Sequence, residues 1–299
     1  MSSERVVEFR TYDGLKLQGT FYAAGEKRPC IIMTTGFSGE RFQYLPDFAR
    51  RFQAAGFGVL LYDNRNFGES EGIPRNEVDP DLQARDYLDA FNYATTLTEV
   101  DPRRIVYWGS SMSGGNAIKA AALNSNIAAV IAQVPFVSGD GLSRASRQPP
   151  ATLVMERGNA VATGKPTMIP TYPELRDGVV HDNPGAVLAG PSAVKFIEEM
   201  VRRGYSWAET VTAQSVANCS LSEPLAYIHR ISPTPLLMIV ADNDTITDTR
   251  SQFEAFEKAL QPKKLLIMKG EDHFSVYFGE AFEKNIGGQI DFLEETLAI

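Results

Sequence analysis

Residues 103–123 read RRIVYWGSSMSGGNAIKAAAL, and the change of character along them decides the fold. Ile105 to Trp108 is a short apolar run suited to a strand buried on both faces. Gly109-Ser110-Ser111-Met112-Ser113-Gly114-Gly115 is too small and too rich in glycine to continue it, and Asn116 to Leu123 returns to helix-forming residues. A strand, a tight turn and a helix in that order push the residue at the turn out of the top of a sheet. The positions two before and two after it must then be small, because the backbones crowd there. Ser111 meets that demand with Gly109 and Ser113 as neighbours, one CH₂OH away from the usual G-x-S-x-G. Ser113 as nucleophile would have Ser111 and Gly115 as flanks but would lie further into the helix. Ser110 would put Trp108 and Met112 where space is least. The plain alternative is a serine-rich helix cap without chemistry, since serine is a favoured cap.

Outward from this stretch, similar unalternating runs recur at Cys30 to Met33, Gly58 to Tyr62, Ala128 to Val134, Leu236 to Val240 and Leu265 to Met268. Segments of helical period lie between most of them, such as Leu82, Leu88 and Phe91, or Phe253, Phe256 and Leu260. The last is a stripe of Phe278, Phe282, Ile286, Ile290, Leu293 and Leu297. Strands alternating with helices predict a mostly parallel sheet with helices on both faces. Ahead of them Val6 to Tyr22 alternates around Asp13-Gly14, which predicts a hairpin closed by a two-residue turn. The rhythm stops over residues 139–227, where 8 of the 17 prolines fall. Residues 1–138 and 228–299 are therefore expected to form the core. Residues 139–227 are expected to form an inserted, mainly helical cap, with one helix marked by Val194, Ile197 and Val201 after Pro191.

A serine hydroxyl is a weak nucleophile until a positioned base takes its proton. The chain has three histidines. His181 lies inside the insertion and His229 just before a strand, whereas His273 follows the Leu265 to Met268 run and precedes the terminal helix. An acid is expected after a strand between nucleophile and base. Asp244, a few residues beyond Val240, fills that place; Asp242 and Asp248 read as loop and helix-cap residues, and Asp140 is the alternative one strand earlier. Two backbone N–H groups commonly hold the oxyanion of acyl chemistry. Met112, following the nucleophile, and Phe37, after Gly36 in the loop leaving Met33, are the candidates.

Composition narrows the classes further. Net charge is −8, from 29 basic and 37 acidic residues, and the basic doublets are scattered, so a nucleic acid partner is not expected. Hydrophobic content of 43% with 22% charge is that of an ordinary globular chain. No window reads as a membrane span and no signal peptide is visible. Cys30 and Cys219 read as small buried residues, so a cytoplasmic, reducing location is expected. No dinucleotide fingerprint, phosphate loop or metal-ligand spacing occurs, so neither cofactor nor metal is expected.

Taken together these strings resemble the α/β-hydrolase family from Val6 to Leu297. Thr35-Gly36-Phe37 is similar to its His-Gly-x oxyanion turn, and residues 63–72, DNRNFGESEG, to its D-x-R-x-x-G-x-S-x-G loop. Ser111, Asp244 and His273 then match its triad positions. Arg65-Asn66-Phe67-Gly68, residues 108–115 and Gln133-Val134-Pro135-Phe136-Val137 resemble the hydrolases and polyketide transferases of fungal biosynthetic clusters. The resemblance implies the α/β-hydrolase fold with an eight-stranded sheet, and a small-molecule or carrier-bound acyl substrate, an ester or thioester, handled in secondary metabolism. The alternatives are acyl or polyketide transfer, proton-transfer or carbon–carbon chemistry with the same triad, and a ligand-binding pseudoenzyme. Tyr172 and Trp207 of the cap are candidates for substrate binding, with Tyr205, Met155 and Met168 beside them. A cap or a terminal helix also suits a homodimer.

Overall fold

The computed structural model describes residues 3–141 and 150–298. Its centre is one sheet of eight strands in the order β1-β2-β4-β3-β5-β6-β11-β12. The strands are β1 (Ser3–Arg10), β2 (Lys16–Ala23), β3 (Arg28–Thr34), β4 (Gly58–Tyr62), β5 (Val100–Ser110), β6 (Ala129–Gln133), β11 (Leu236–Ala241) and β12 (Lys263–Met268). The numbers β7 to β10 belong to the inserted segment described below. β1 and β2 pair antiparallel, as do β2 and β4; every other neighbour is parallel.

The period of two along a strand sorts β5 cleanly. Val106 and Trp108 join a cluster with Phe48, Phe52 and Phe282, whereas Ile105 and Tyr107 join Tyr87, Ile118 and Val130 on the other face. Helices α1 (Leu45–Ala54) and α8 (Gly279–Leu297) supply the first layer, and α2 (Pro80–Ala94) and α3 (Met112–Leu123) the second. Asp79 starts α2 by accepting from Asp81 and Leu82 N–H at 3.0 Å, with Pro80 in the first turn. Such a cap contributes about 1 kcal/mol.

Two local expectations, for the β1–β2 turn and for α2, are corrected. The β1–β2 loop has five residues, closed by Thr11 N–H to Leu15 O at 2.9 Å, and of the Asp13-Gly14 pair Gly14 alone has positive φ, 90°. Asp13 is held instead by Arg65 at 2.8 and 3.1 Å and by the Thr11 hydroxyl at 2.5 Å, which keeps it out of a two-residue turn. On α2 the buried face is Gln83, Ala84, Asp86, Tyr87 and Ala90, while Leu82, Leu88 and Phe91 are half-buried. The helix is rotated so that Asp86 meets the buried Arg65 at 2.5 Å.

Among the described residues, the segment between β6 and β11 adds no strand to the main sheet. Among the described residues its α-helices are α4 (Pro150–Thr163), α5 (Pro191–Arg202) and α6 (Ala213–Ser220), and it also forms two small antiparallel pairs that the sequence pattern did not announce. These join β7 (Met168–Pro170) to β10 (Thr210–Thr212), and β8 (Glu174–Arg176) to β9 (Val179–His181). On α5 the buried face is Ala193, Phe196, Ile197 and Met200, so Val194 and Val201 sit off the expected stripe. Phe196 stacks between Tyr44 and Phe274, with centroids 4.8 and 4.3 Å away, and so seats the insertion on the core. Helix α7 (Thr249–Lys258) follows β11.

Both cysteines are buried and free, and burial pushes the Cys30 thiol up to about 12. Among the described residues no helix is long and apolar enough to cross a membrane, and no group of three His, Cys, Asp or Glu could hold a metal ion.

Candidate active site

β5 ends at Ser110 and α3 begins at Met112, leaving Ser111 alone at the junction with φ 57° and ψ −121°. A non-glycine residue there is strained and persists only where its surroundings fix it. Ser111 N–H donates to Gln133 O at 2.9 Å, and Ser111 O accepts from Gly114 N–H at 3.0 Å and Phe136 N–H at 2.9 Å. Gly109 is obligatory, because a Cβ at that position would collide with the Ser113 carbonyl. Ser113 is fully buried; its hydroxyl donates to Thr34 O at 2.8 Å and accepts from Ser110 N–H at 3.0 Å. The extra CH₂OH at this position therefore stitches the turn to β3.

His273 Nε2 lies 2.9 Å from Ser111 Oγ, and Nδ1 lies 2.7 Å from Asp244 Oδ2. The serine hydroxyl has a proton to give and the carboxylate has only lone pairs, so Nδ1 carries the hydrogen that Asp244 accepts and Nε2 is left as the acceptor. Phe274 meets the imidazole edge to face at 4.9 Å. Asp244 Oδ1 accepts from Ile246 and Thr247 N–H at 2.8 and 2.9 Å, and Oδ2 accepts from the Thr247 hydroxyl at 2.7 Å. Burial pushes this carboxyl up, but His273 and the Thr247 donors outweigh burial and hold it below the ordinary carboxylate range. Gln252 in turn donates to Thr247 Oγ1 at 2.9 Å.

Asp242 accepts from Gly270 N–H at 2.6 Å and Asp248 caps α7. Asp140 meets Glu223 through its backbone N–H at 2.5 Å, and the carboxyl that His273 contacts is that of Asp244. His181 and His229 are exposed. Thr247 and Gln252 escaped the sequence reading. Asp244 followed by amide donors two and three residues on is the Asx-turn pattern, a signal for Thr247; nothing local marks Gln252.

The loop after β3 reaches over the serine. A Cβ on Gly36 would stand 3.0 Å from Ser110 O and from Ser111 Cβ, so a larger residue would force the loop or the turn to give by a few tenths of an ångström. Phe37 and Met112 N–H take part in no turn, loop or cap bond among the described residues, and Met112 is the first residue of its helix, where amide donors are unspent. The loop is pinned from below by Asn64, which donates to Thr35 O at 2.9 Å, and by the pairing of the half-buried Arg41 with the buried Asp63. From above, Tyr172 donates to Phe37 O at 3.3 Å and accepts from Ser38 Oγ at 3.2 Å.

Ser111, His273, Phe37, Tyr172, Phe196 and Tyr277 share one cavity of about 40 Å³. Tyr172 is thus brought to the serine, but Trp207 is not: it packs on the core cluster outside the cavity. Tyr205 packs edge-on against Tyr44 at 5.7 Å, and Met155 and Met168 are exposed, so these three hold or cover the insertion and do not line the cavity.

The family model described as serine aminopeptidase, S33 matches residues 25–274. A thiohydrolase, aneE, of Aspergillus aculeatus is 32% identical over 98% of this chain and 93% of its own. The polyketide transferase grgF of a Penicillium species is also 32% identical, over 98% and 96%. The crystal structure of the α/β hydrolase GrgF from Penicillium superposes with a TM-score of 0.86, covering 99% of this chain and 100% of that one.

Proposed function

Because the chain belongs to the serine aminopeptidase S33 family of α/β hydrolases, we propose that it cleaves an acyl ester or thioester through an acyl-enzyme on Ser111. The 2.9 Å contact of Ser111 Oγ with His273 Nε2, continued by the 2.7 Å contact to Asp244, carries this reading. Residues 139–227 act as a cap on a core of residues 1–138 and 228–299.

Ser111 Oγ attacks the acyl carbon while its proton passes to His273 Nε2. Asp244 accepts the hydrogen bond from Nδ1 throughout and balances the imidazolium, without taking the proton itself. The carbonyl electrons move onto oxygen, where Phe37 and Met112 N–H meet the new charge at the positive end of α3. When the carbonyl reforms, the alcohol or thiol leaves with the proton from His273 and the acyl group stays on Ser111. Water, deprotonated by His273, then releases the acid and restores the serine.

A second reading keeps the acyl-enzyme and gives the acyl group to an alcohol or amine. The burial of Ser111 and His273 favours it, since transfer requires that water be kept from the acyl-enzyme. The name of the grgF relative fits this reading, as that of aneE fits hydrolysis.

A fluorophosphonate probe followed by peptide mapping tests the shared step. Labelling is expected on Ser111, lost in Ser111→Ala and kept in Ser113→Ala. In Ser113→Ala the unfolding free energy should fall by about 1–3 kcal/mol, because Thr34 O loses its buried partner. Labelling of Ser113, or an unlabelled folded protein, would overturn the acyl-enzyme and favour proton-transfer chemistry or a binding role.

A further inference from the structure

The loop that leaves β3 carries a turn that the core holds at its ends but not at its tip. Gly39 N–H donates to Gly36 O at 3.4 Å, and Gly39 O accepts from the Thr35 hydroxyl at 2.7 Å. Phe37 and Ser38 stand between them; Ser38 has φ 57°, whereas Phe37 does not lie at positive φ. A turn whose third residue alone has positive φ is of type II, and that place calls for glycine. A serine there relaxes to negative φ by turning over the Phe37–Ser38 peptide, so it stays only where neighbours hold that peptide. Among the described residues one side chain does so. Tyr172, from the inserted segment, donates to Phe37 O at 3.3 Å and accepts from Ser38 Oγ at 3.2 Å. Phe37 O can only accept, so the single phenol proton goes to it and the serine proton goes to the phenol oxygen. All three residues are buried, which shields both bonds from water.

The Gly36–Phe37 peptide, whose N–H meets the oxyanion in the acyl reading, adjoins the peptide that Tyr172 holds. Among the described residues its own carbonyl has only the long 3.4 Å bond from Gly39, so a turn free to flip would take the donor off its aim. We infer that Tyr172 is a positioning residue: it keeps the Phe37–Ser38 turn in the shape that aims Phe37 N–H at the oxyanion, so that the oxyanion hole is complete only while the inserted segment sits on the core. This deepens the acyl reading and rests on it. The place of Tyr172 is set by that segment's own fold, since Thr171 N–H donates to Glu209 O at 2.8 Å and Leu188 N–H to Thr171 O at 2.9 Å. With its proton engaged by the loop, the phenol acts on the turn and does not donate to substrate. Lifting the segment would leave a serine and histidine able to meet an acyl group, but with one donor misplaced for its tetrahedral state.

Hexyl trifluoromethyl ketone tests this directly. Ser111 Oγ bonds to its carbonyl carbon, the serine proton passes to His273, and the carbonyl electrons go to the oxygen that lies in the hole. The matching trifluoromethyl carbinol has the same chain but forms no adduct. Both are titrated calorimetrically into wild type, Tyr172→Phe, and Tyr172→Phe combined with Ser38→Gly, each shown to be folded by thermal melting, and the rate of fluorophosphonate labelling of Ser111 is followed in parallel. Tyr172→Phe should bind the ketone and take the label about 10- to 100-fold less well, with the carbinol unchanged. Ser38→Gly in the same chain should restore much of the loss, because glycine takes positive φ without being held. Tyr172→Phe at wild-type values, an equal loss for ketone and carbinol, or no recovery from Ser38→Gly would overturn the inference, while labelling of wild-type Ser111 upheld the acyl-enzyme. A folded wild type that takes neither the label nor the ketone would sink both.

Discussion

Thr247 shows how one neighbouring side chain sets the surroundings of the Asp244 carboxyl. Its hydroxyl and its amide both donate to Asp244, and the hydroxyl is held by Gln252. Thr247→Val keeps the shape and removes one donor from a buried carboxylate, so the Asp244 carboxyl should rise from its depressed position. A depressed carboxylate contributes fully above its unfolded value and loses its effect as pH falls through the folded one. The stability lost in Thr247→Val, read by urea unfolding, should accordingly be greatest near neutral pH and shrink as pH falls below about 4, with kcat about tenfold lower and KM little changed. A loss of the same size at every pH would show that Thr247 only fills space. That Ser111, His273 and Asp244 meet in the fold was legible, because chain order and turn chemistry both point to them. Thr247 and Gln252 act through a contact that only the folded loop creates, and the one cue, the Asx turn, does not distinguish a positioned acid from an ordinary turn.

At the scale of elements, the apolar runs of the sheet were readable because strands buried on both faces tolerate little else. Amphipathic elements were less so. The stripe drawn through α2 missed by a rotation, since the buried Arg65 demands a carboxylate where hydropathy would place leucine. In α5 a similar offset hid Phe196, the residue whose ring joins the inserted segment to Tyr44 and Phe274. Its ring is buried against Tyr44, Phe274 and Tyr172 and forms a wall of the cavity. Phe196→Ala should lower the unfolding free energy by about 3–5 kcal/mol, the usual range for emptying such a site. It should also speed labelling of Ser111 by bulky phosphonates more than by small ones, because the cavity grows and the cap loosens together. Equal acceleration for both probes would mean that the cap, and not the width of the cavity, limits access.

For the whole molecule, one ion cluster ties together parts that are distant in sequence. Arg65, on the loop after β4, is held between Asp13 at the β1–β2 loop and Asp86 on α2. The two carboxyls respond oppositely. Asp13 is lowered to about 2, by its bond from Arg65 first and then by Thr11, whereas burial pushes Asp86 up to about 6 despite the Arg65 fork. From its ordinary 3.8 to about 6 the folded state holds the Asp86 proton more tightly than the unfolded chain does. Stability from this group is therefore full below about 4 and falls as pH rises through 6, by about 3 kcal/mol at one pKa unit per 1.4 kcal/mol. Other carboxyls titrate in the same window, so the informative quantity is the difference in urea unfolding free energy between wild type and Asp86→Asn. From pH 4 to pH 7 wild type should lose ground to the variant. If instead it gained, the ionised Arg65–Asp86 pair would outweigh its desolvation, and the cluster would be holding the β1–β2 hairpin to α2 by charge.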